Sequence, residues 1–214
     1  MQIMKIDSQI ARIKEKMQKL SSKNPEFPCG KFPPEWKPPV SEKKVECFER
    51  EKGIKLPEDY RRFITTVAGA GTQPFYGLYG LTEKKPSYEF TPIVEKPFPY
   101  TIKTPFFLAD LTEEECQEFF EDEEDESYIQ GFLLLCTEGC GMDSILIVNT
   151  ADEETYGTVW FYDLSDDFGI APIFNPQTGK PMHFLDWFEY WLDQTLTLPD
   201  DEFFSYGELT CWQK

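Results

Sequence analysis

Histidine is almost missing from this chain: His183 is the only one in 214 residues. That scarcity argues against metal sites built on several imidazoles and leaves nucleophilic Ser or Cys chemistry with a single candidate base. Basic residues are scarce too, with 21 Lys and Arg against 39 Asp and Glu and a formal charge of −18. A field of that sign repels phosphate backbones and anionic lipid, which makes nucleic acid and membrane surfaces poor partners, and it steers a basic partner toward the chain. The same acidity also keeps an aromatic-rich protein in solution, and charge alone does not choose between these roles. No run approaches the roughly 20 apolar residues of a membrane span, and residues 1–20 lack the continuous apolar core of a signal peptide. The expected location is therefore the cytoplasm. Cys29, Cys47, Cys116, Cys136, Cys140 and Cys211 are scattered without a compact framework, which fits reduced thiols.

What the chain has in quantity is rings: aromatics make up 16% of its residues, enough to fill a core, line a cleft, or both. Ile3, Ile6, Ile10, Ile13, Met17 and Leu20 recur every three to four positions and predict a one-faced amphipathic helix docked on the core. Pro25, Pro28, Pro33, Pro34, Pro38 and Pro39 then predict a stiff connector, pinned by Phe32 and Trp36. Ser41 is the expected N-cap of a helix that turns Val45, Cys47 and Phe48 inward and stops at Gly53. Pro57, Glu58 and Asp59 open another, whose inward stripe is Tyr60, Phe63, Ile64 and Val67 and whose end is marked by Gly69 and Gly71. Strands are predicted over 75–81 and 106–109, with a proline-broken loop over 88–105 that holds at most one edge strand. Thr112 and Glu115 form a capping box for a very acidic helix to about Glu126. Three β-rich runs, 132–136, 144–149 and 158–162, predict an antiparallel meander. Phe184, Trp187, Phe188, Trp191 and Leu192 fall at helical spacing and should seal it, while 198–214 carries Phe203, Phe204, Tyr206 and Trp212 without a period. The expected organisation is an amino-terminal helix over 1–24, a connector over 25–40 and one domain over 41–214.

These elements carry a resemblance. Phe48-Glu49-Arg50-Glu51, Gly53-Ile54-Lys55-Leu56-Pro57-Glu58-Asp59-Tyr60-Arg61-Arg62-Phe63 and Ala68-Gly69-Ala70-Gly71 look like the opening helix, "LPxDY" turn, second helix and small-residue exit of the SUKH superfamily. Gly131-Phe132-Leu133-Leu134, Gly139-Cys140-Gly141, Ile145-Leu146-Ile147-Val148, Gly157-Thr158-Val159-Trp160-Phe161-Tyr162-Asp163 and Phe184-Leu185-Asp186-Trp187-Phe188 follow in the same order. The match spans roughly 41–196. The resemblance implies an α+β fold with a mainly antiparallel twisted sheet flanked by helices. It also implies work by protein binding, as in bacterial immunity proteins that neutralise nuclease or deaminase toxins and in fungal cell-wall-synthesis regulators. It supplies no catalytic residues.

Enzymatic alternatives find little support in the residues. His183 has no Ser or Cys nucleophile in a recognised motif and reads as a helix-start residue. Cys136 and Cys140 have zinc-like spacing but no second pair. The glycines at 69, 71, 139 and 141 lack the Lys and Ser/Thr of a phosphate loop and read as turns needing positive φ. No cofactor or metal is expected, and the chain reads as a non-enzyme. Its candidate site is a negative surface for a basic protein, a toxin domain in the first reading: Glu113, Glu114, Glu118, Glu121, Asp122, Glu123 and Glu124, extended by Asp163, Asp166 and Asp167. The alternative is a regulatory scaffold of the same fold, with a hydrolase a distant third.

Overall fold

A computed structural model describes residues 2–23, 30–81, 91–122, 126–165, 168–202 and 204–210. Ile3 (side chain), Pro25, Pro28, Cys29, Tyr88, Phe203, Cys211 and Trp212, all used in the sequence reading, lie outside the described residues. In chain order the elements are α1 (Gln2–Leu20), β1 (Trp36–Lys37), α2 (Glu42–Lys52), α3 (Glu58–Thr66), β2 (Ala70–Gly71), β3 (Phe106–Phe107), α4 (Glu113–Glu121), β4 (Phe132–Gly139), β5 (Met142–Ile147), β6 (Val159–Asp163), β7 (Gly169–Pro172) and α5 (Phe184–Thr197). The fold is α+β. Among the described residues β1 pairs with β2, and a second sheet runs β3-β7-β6-β5-β4 with every neighbour antiparallel.

The meander β4-β5-β6-β7 is built from runs that are apolar on both faces, and a tight turn joins the first two. The β4–β5 turn places Gly139, Cys140 and Gly141 all at positive φ, and a Cβ on Gly141 would lie 2.2 Å from the Ser165 hydroxyl oxygen. One face of the sheet, with Leu135, Leu146, Val159 and Phe161, is sealed by α5 through Phe184, Trp187, Phe188 and Trp191, all buried. Helix α3 adds Tyr60 and Phe63, whose rings lie 4.9 and 5.0 Å from that of Phe184. Removing each such side chain from water stabilises the fold by about 2–3 kcal/mol. The other face, with Phe132, Leu134, Ile145, Ile147, Trp160, Tyr162 and Ile170, has no long helix on it among the described residues. Phe98, from the irregular stretch 91–105, fills its centre with its ring 5.0 Å from Trp160.

Helix α1 lies along α5. Ile6, Ile10, Ile13 and Leu20 are buried, and Arg12 (2.9 Å) and Lys16 (2.9 Å) both pair with Glu189 of α5. Lys16 also reaches Asp193 at 2.6 Å, and Arg62 of α3 reaches Asp7 at 3.0 Å. Trp36 pins the connector by edge contacts to Phe188 and Trp191.

Two carboxylates explain the Leu56-to-Tyr60 segment. Glu49, 3% exposed, accepts the Leu56 N–H at 2.9 Å, Arg61 at 2.8 Å and Lys55 at 3.1 Å. Burial alone would raise its pKa, but these donors outweigh burial and hold it below the ordinary carboxylate range. Asp59, in the first turn of α3, accepts the Leu185 N–H at 3.1 Å and so caps α5 from another helix. The N-cap residue His183 makes no side-chain cap of its own.

Several local expectations differ from the structure. Residues 75–81 are not a strand: Pro74–Gly77 turn, with Phe75 at φ 48 and Gly77 at φ 124, values an extended ladder cannot hold. Only Leu78 bridges to Gly71, while the amides of Tyr76 and Tyr79 cap carbonyls of β4. The run 106–109 becomes the short β3 followed by a 3₁₀ turn at Leu108–Asp110. Gly71 is needed for close approach rather than positive φ, because the Trp36 ring sits 2.3 Å from where its Cβ would be. Cys47 is half-buried, its sulfur bonded to Glu51 and Arg50. Ser41 occupies the N-cap of α2 without a side-chain bond.

Glu49→Ala should destabilise the fold by about 3 kcal/mol, because it leaves buried donors without their acceptor. Since the folded-state pKa is depressed, this contribution is present above the ordinary Glu value and is lost as pH falls through it toward the lower folded value. Urea unfolding across acidic pH checks this: the variant should show a lower midpoint and a flatter acid limb, and a loss under about 0.5 kcal/mol would contradict the role.

Candidate partner-binding surface

The thinly covered face of the large sheet is where the acidic helix sits. Thr112 and Glu115 cap α4 reciprocally: the Glu115 N–H donates to the Thr112 hydroxyl at 3.2 Å and the Thr112 N–H to the Glu115 carboxylate at 2.8 Å. The bonds it accepts from the Thr112 N–H and from the Thr112 hydroxyl, each at 2.8 Å, pull the Glu115 carboxyl below its usual range. The inward anchor is Phe119, whose ring lies 5.0 Å from Phe106 and 5.5 Å from Tyr128. Phe106 in turn stacks on Tyr100 at 5.3 Å. These four rings are half-buried and form an apolar patch continuous with the sheet's second core.

Around that patch the charge is negative. Glu113, Glu114, Glu118, Glu121 and Asp122 are all exposed. Among the described residues Glu113, Glu114 and Glu118 have no ion-pair partner, while Glu121 accepts a bond from Gln117 at 2.8 Å. The last turn of α4 holds no basic residue, so Glu118 and Glu121 sit at the end of the helix dipole that disfavours them. Glu126 differs, being paired with Lys96 at 2.6 Å. Glu123, Glu124, Asp166 and Asp167 lie outside the described residues.

Asp163 does not join this surface. It ends β6 at 4% exposure and accepts the Ser165 N–H at 3.1 Å, so a strand end that looked like part of a negative rim is interior. The rings were the component that sequence reasoning left without positions. Their signal is the density of Phe98, Tyr100, Phe106, Phe107, Phe119 and Tyr128 across a loop, a short predicted strand and a predicted acidic helix.

Other places hold less chemistry. His183 is exposed beside an open polar depression of about 320 Å³ with Glu154, Asn175, Lys180 and Asp186; its described lining contains no Ser or Cys. Among the described residues no three His, Cys, Asp or Glu side chains group as a metal site. The groove beside Trp36 and Tyr76, about 740 Å³, carries Lys31 and Lys37 at its rim, with Lys31 already paired to Glu35.

Phe119→Ala should release α4, because nine residues are too few to hold a helix in water without tertiary anchoring. Amide exchange over 113–121 should speed up while β5 and β6 stay protected. Unchanged protection in α4 would contradict the anchoring role of the ring.

No curated protein matches the chain in sequence. The sequence model of the SMI1 / KNR4 family (SUKH-1) matches residues 39–193, from the end of the proline-rich connector, through the Glu49 and Asp59 turn and the whole meander, into α5. The match covers well over half of the residues, and the chain belongs to the SMI1 / KNR4 family (SUKH-1).

Proposed function

We propose that this protein is a binder of another protein: an immunity factor that neutralises a cognate toxin by docking a basic toxin domain on α4 and the rings beneath it. Membership of the family supports a toxin-immunity or related regulatory role at family level. The observation that carries the finer reading is the pairing of exposed Glu113, Glu114, Glu118 and Glu121 with the half-buried patch of Tyr100, Phe106, Phe119 and Tyr128. Charge steers the encounter and disfavours wrong partners, while desolvated rings supply most of the affinity. A toxin that acts on nucleic acid, a nuclease or a deaminase, needs positive charge to hold its substrate. Carboxylates on a helix can stand in for phosphates in that cleft and block it. Relief of like-charge repulsion along α4 adds to binding.

On this reading the protein is non-catalytic, works in the cytoplasm, and needs no cofactor. No helix among the described residues is long and apolar enough to cross a membrane. Residues 41–214 act as the binding domain, with the amino-terminal helix and its connector as an added clamp.

The test begins with the gene beside this one. If it encodes a secreted protein with a toxin domain, co-expression of this chain should protect cells from that domain. Replacing Glu114, Glu118 and Glu121 together by Lys should slow association with it on the order of tenfold or more and flatten the salt dependence of the rate. Unchanged rate and salt dependence would move the interface away from α4, and failure to protect would favour the regulatory-scaffold role.

A further inference from the structure

We propose that Glu138 is a proton-controlled latch, holding the carboxy-terminal segment 204–210 over the sheet while its carboxyl is protonated and loosening it on ionisation. This inference concerns the face opposite α4 and stands apart from the partner-binding reading.

The geometry is that of a strap tied at few points. Residues 204–210 lie beyond the family match and contain a 3₁₀ turn at Tyr206–Leu209. Tyr206 is fully buried: its ring stacks on Trp187 at 5.5 Å, its hydroxyl donates to the Trp187 carbonyl, and Phe204 and Phe75 meet its edges at 5.2 and 5.9 Å. The far end is tied to the sheet by the Phe174 N–H, which donates to the Leu209 carbonyl at 2.9 Å, and by the bridge of Thr210 to Ile173. The near end is tied by Glu138 alone among the strand side chains described. Both of its carboxyl oxygens lie 3.3 Å from the Tyr206 amide nitrogen, and the Ser205 hydroxyl bonds the same carboxyl.

The surroundings of that carboxyl set its charge. From its own strand it is faced by the Cys136 thiol, from β5 by Asp143 (1% exposed), from β6 by Asp163 (4% exposed), and from the strap by Tyr206, with Tyr190 of α5 behind the last. Every one of these groups is an acid. Three carboxyls thus lie at or next to the ends of three adjacent strands, and ionising the half-buried Glu138 adds negative charge beside the two buried ones, Asp143 and Asp163. Burial first, and then repulsion from Asp143 and Asp163, push its pKa up to about 8, against the bonds from Ser205 and the Tyr206 N–H that favour the ionised form.

The sign follows from linkage. A strap that is open leaves Glu138 near its ordinary value of 4.5, so the closed form binds the proton more tightly than the open one. Closure is at full strength below that ordinary value and weakens as pH rises through about 8. Loosening exposes Phe75, Phe204, Tyr206 and one side of Trp187, so the device trades a sealed core edge for an apolar surface on loss of one proton.

Hydrogen exchange followed by mass spectrometry or NMR tests this, with amides in β5 as the internal reference. In the wild-type protein the protection factors of residues 205–210, corrected for intrinsic exchange, should fall on the order of tenfold between about pH 6.5 and about pH 9, while β5 stays protected. Glu138→Gln keeps acceptor atoms for the Tyr206 N–H but cannot ionise, so its strap should remain protected across that range. A wild-type strap whose protection does not change with pH, or an equal fall in Glu138→Gln, would overturn the proposal. If the glutamine chain does not fold, Asp163→Asn serves instead: removing a repelling carboxyl should move the wild-type fall to lower pH, and an unmoved transition would count against the latch.

Discussion

A five-stranded antiparallel sheet with two apolar faces must have both withdrawn from water, and this chain covers them unequally. One face receives α5, with four large rings across it, backed by α3 and clamped from outside by α1. The other receives Phe98, an irregular stretch and one short helix held by one described ring. The first arrangement buries Phe184, Trp187, Phe188 and Trp191. The second leaves Tyr100, Phe106, Phe119 and Tyr128 half-buried, and half-buried rings beneath a nine-residue helix are what a protein partner can finish covering.

The small cluster of residues from Glu49 to Asp59 makes the well-covered face possible. Glu49 closes the turn between α2 and α3 by taking up the Leu56 N–H and two cations, and Asp59 reaches across to the amino terminus of α5. The motif is therefore a joint between three helices, and its acidic residues are structural, in contrast to those of α4. In a chain of formal charge −18, the two kinds of carboxylate separate by their partners. Glu49 and Glu189 have cations against them, whereas Glu113, Glu114 and Glu118 face solvent.

Much of this was legible in the sequence. The three-to-four periodicity of α1, the capping box of α4, the aromatic stripe of α5 and the meander all depend on local pattern, and local pattern survives folding. Resemblance to the SUKH superfamily carried the order of elements and agrees with the family match over 39–193. What stayed hidden depends on pairing across distance. Strand β7 is only Gly169–Pro172, too short and too rich in Gly and Pro to show a period, and it exists because β6 and β3 flank it. The turn at 74–77 looked like a strand because its rings were read without their backbone angles. Asp163 looked like part of an exposed acidic run, and only the registry Asp163↔Gly169 places it at the inner end of a strand. Glu138 gave no signal at all, since its neighbours Asp143, Asp163 and Tyr206 come from three other segments.

The central claim is that the thinly covered face, and not the clamped one, meets the partner. Hydrogen exchange of the complex with the cognate toxin domain tests it most directly. The account predicts new protection over residues 98–122 and 126–130, with α1 and α5 unchanged. Protection gained on α1 and α5, with α4 exchanging as it does in the unbound chain, would contradict it.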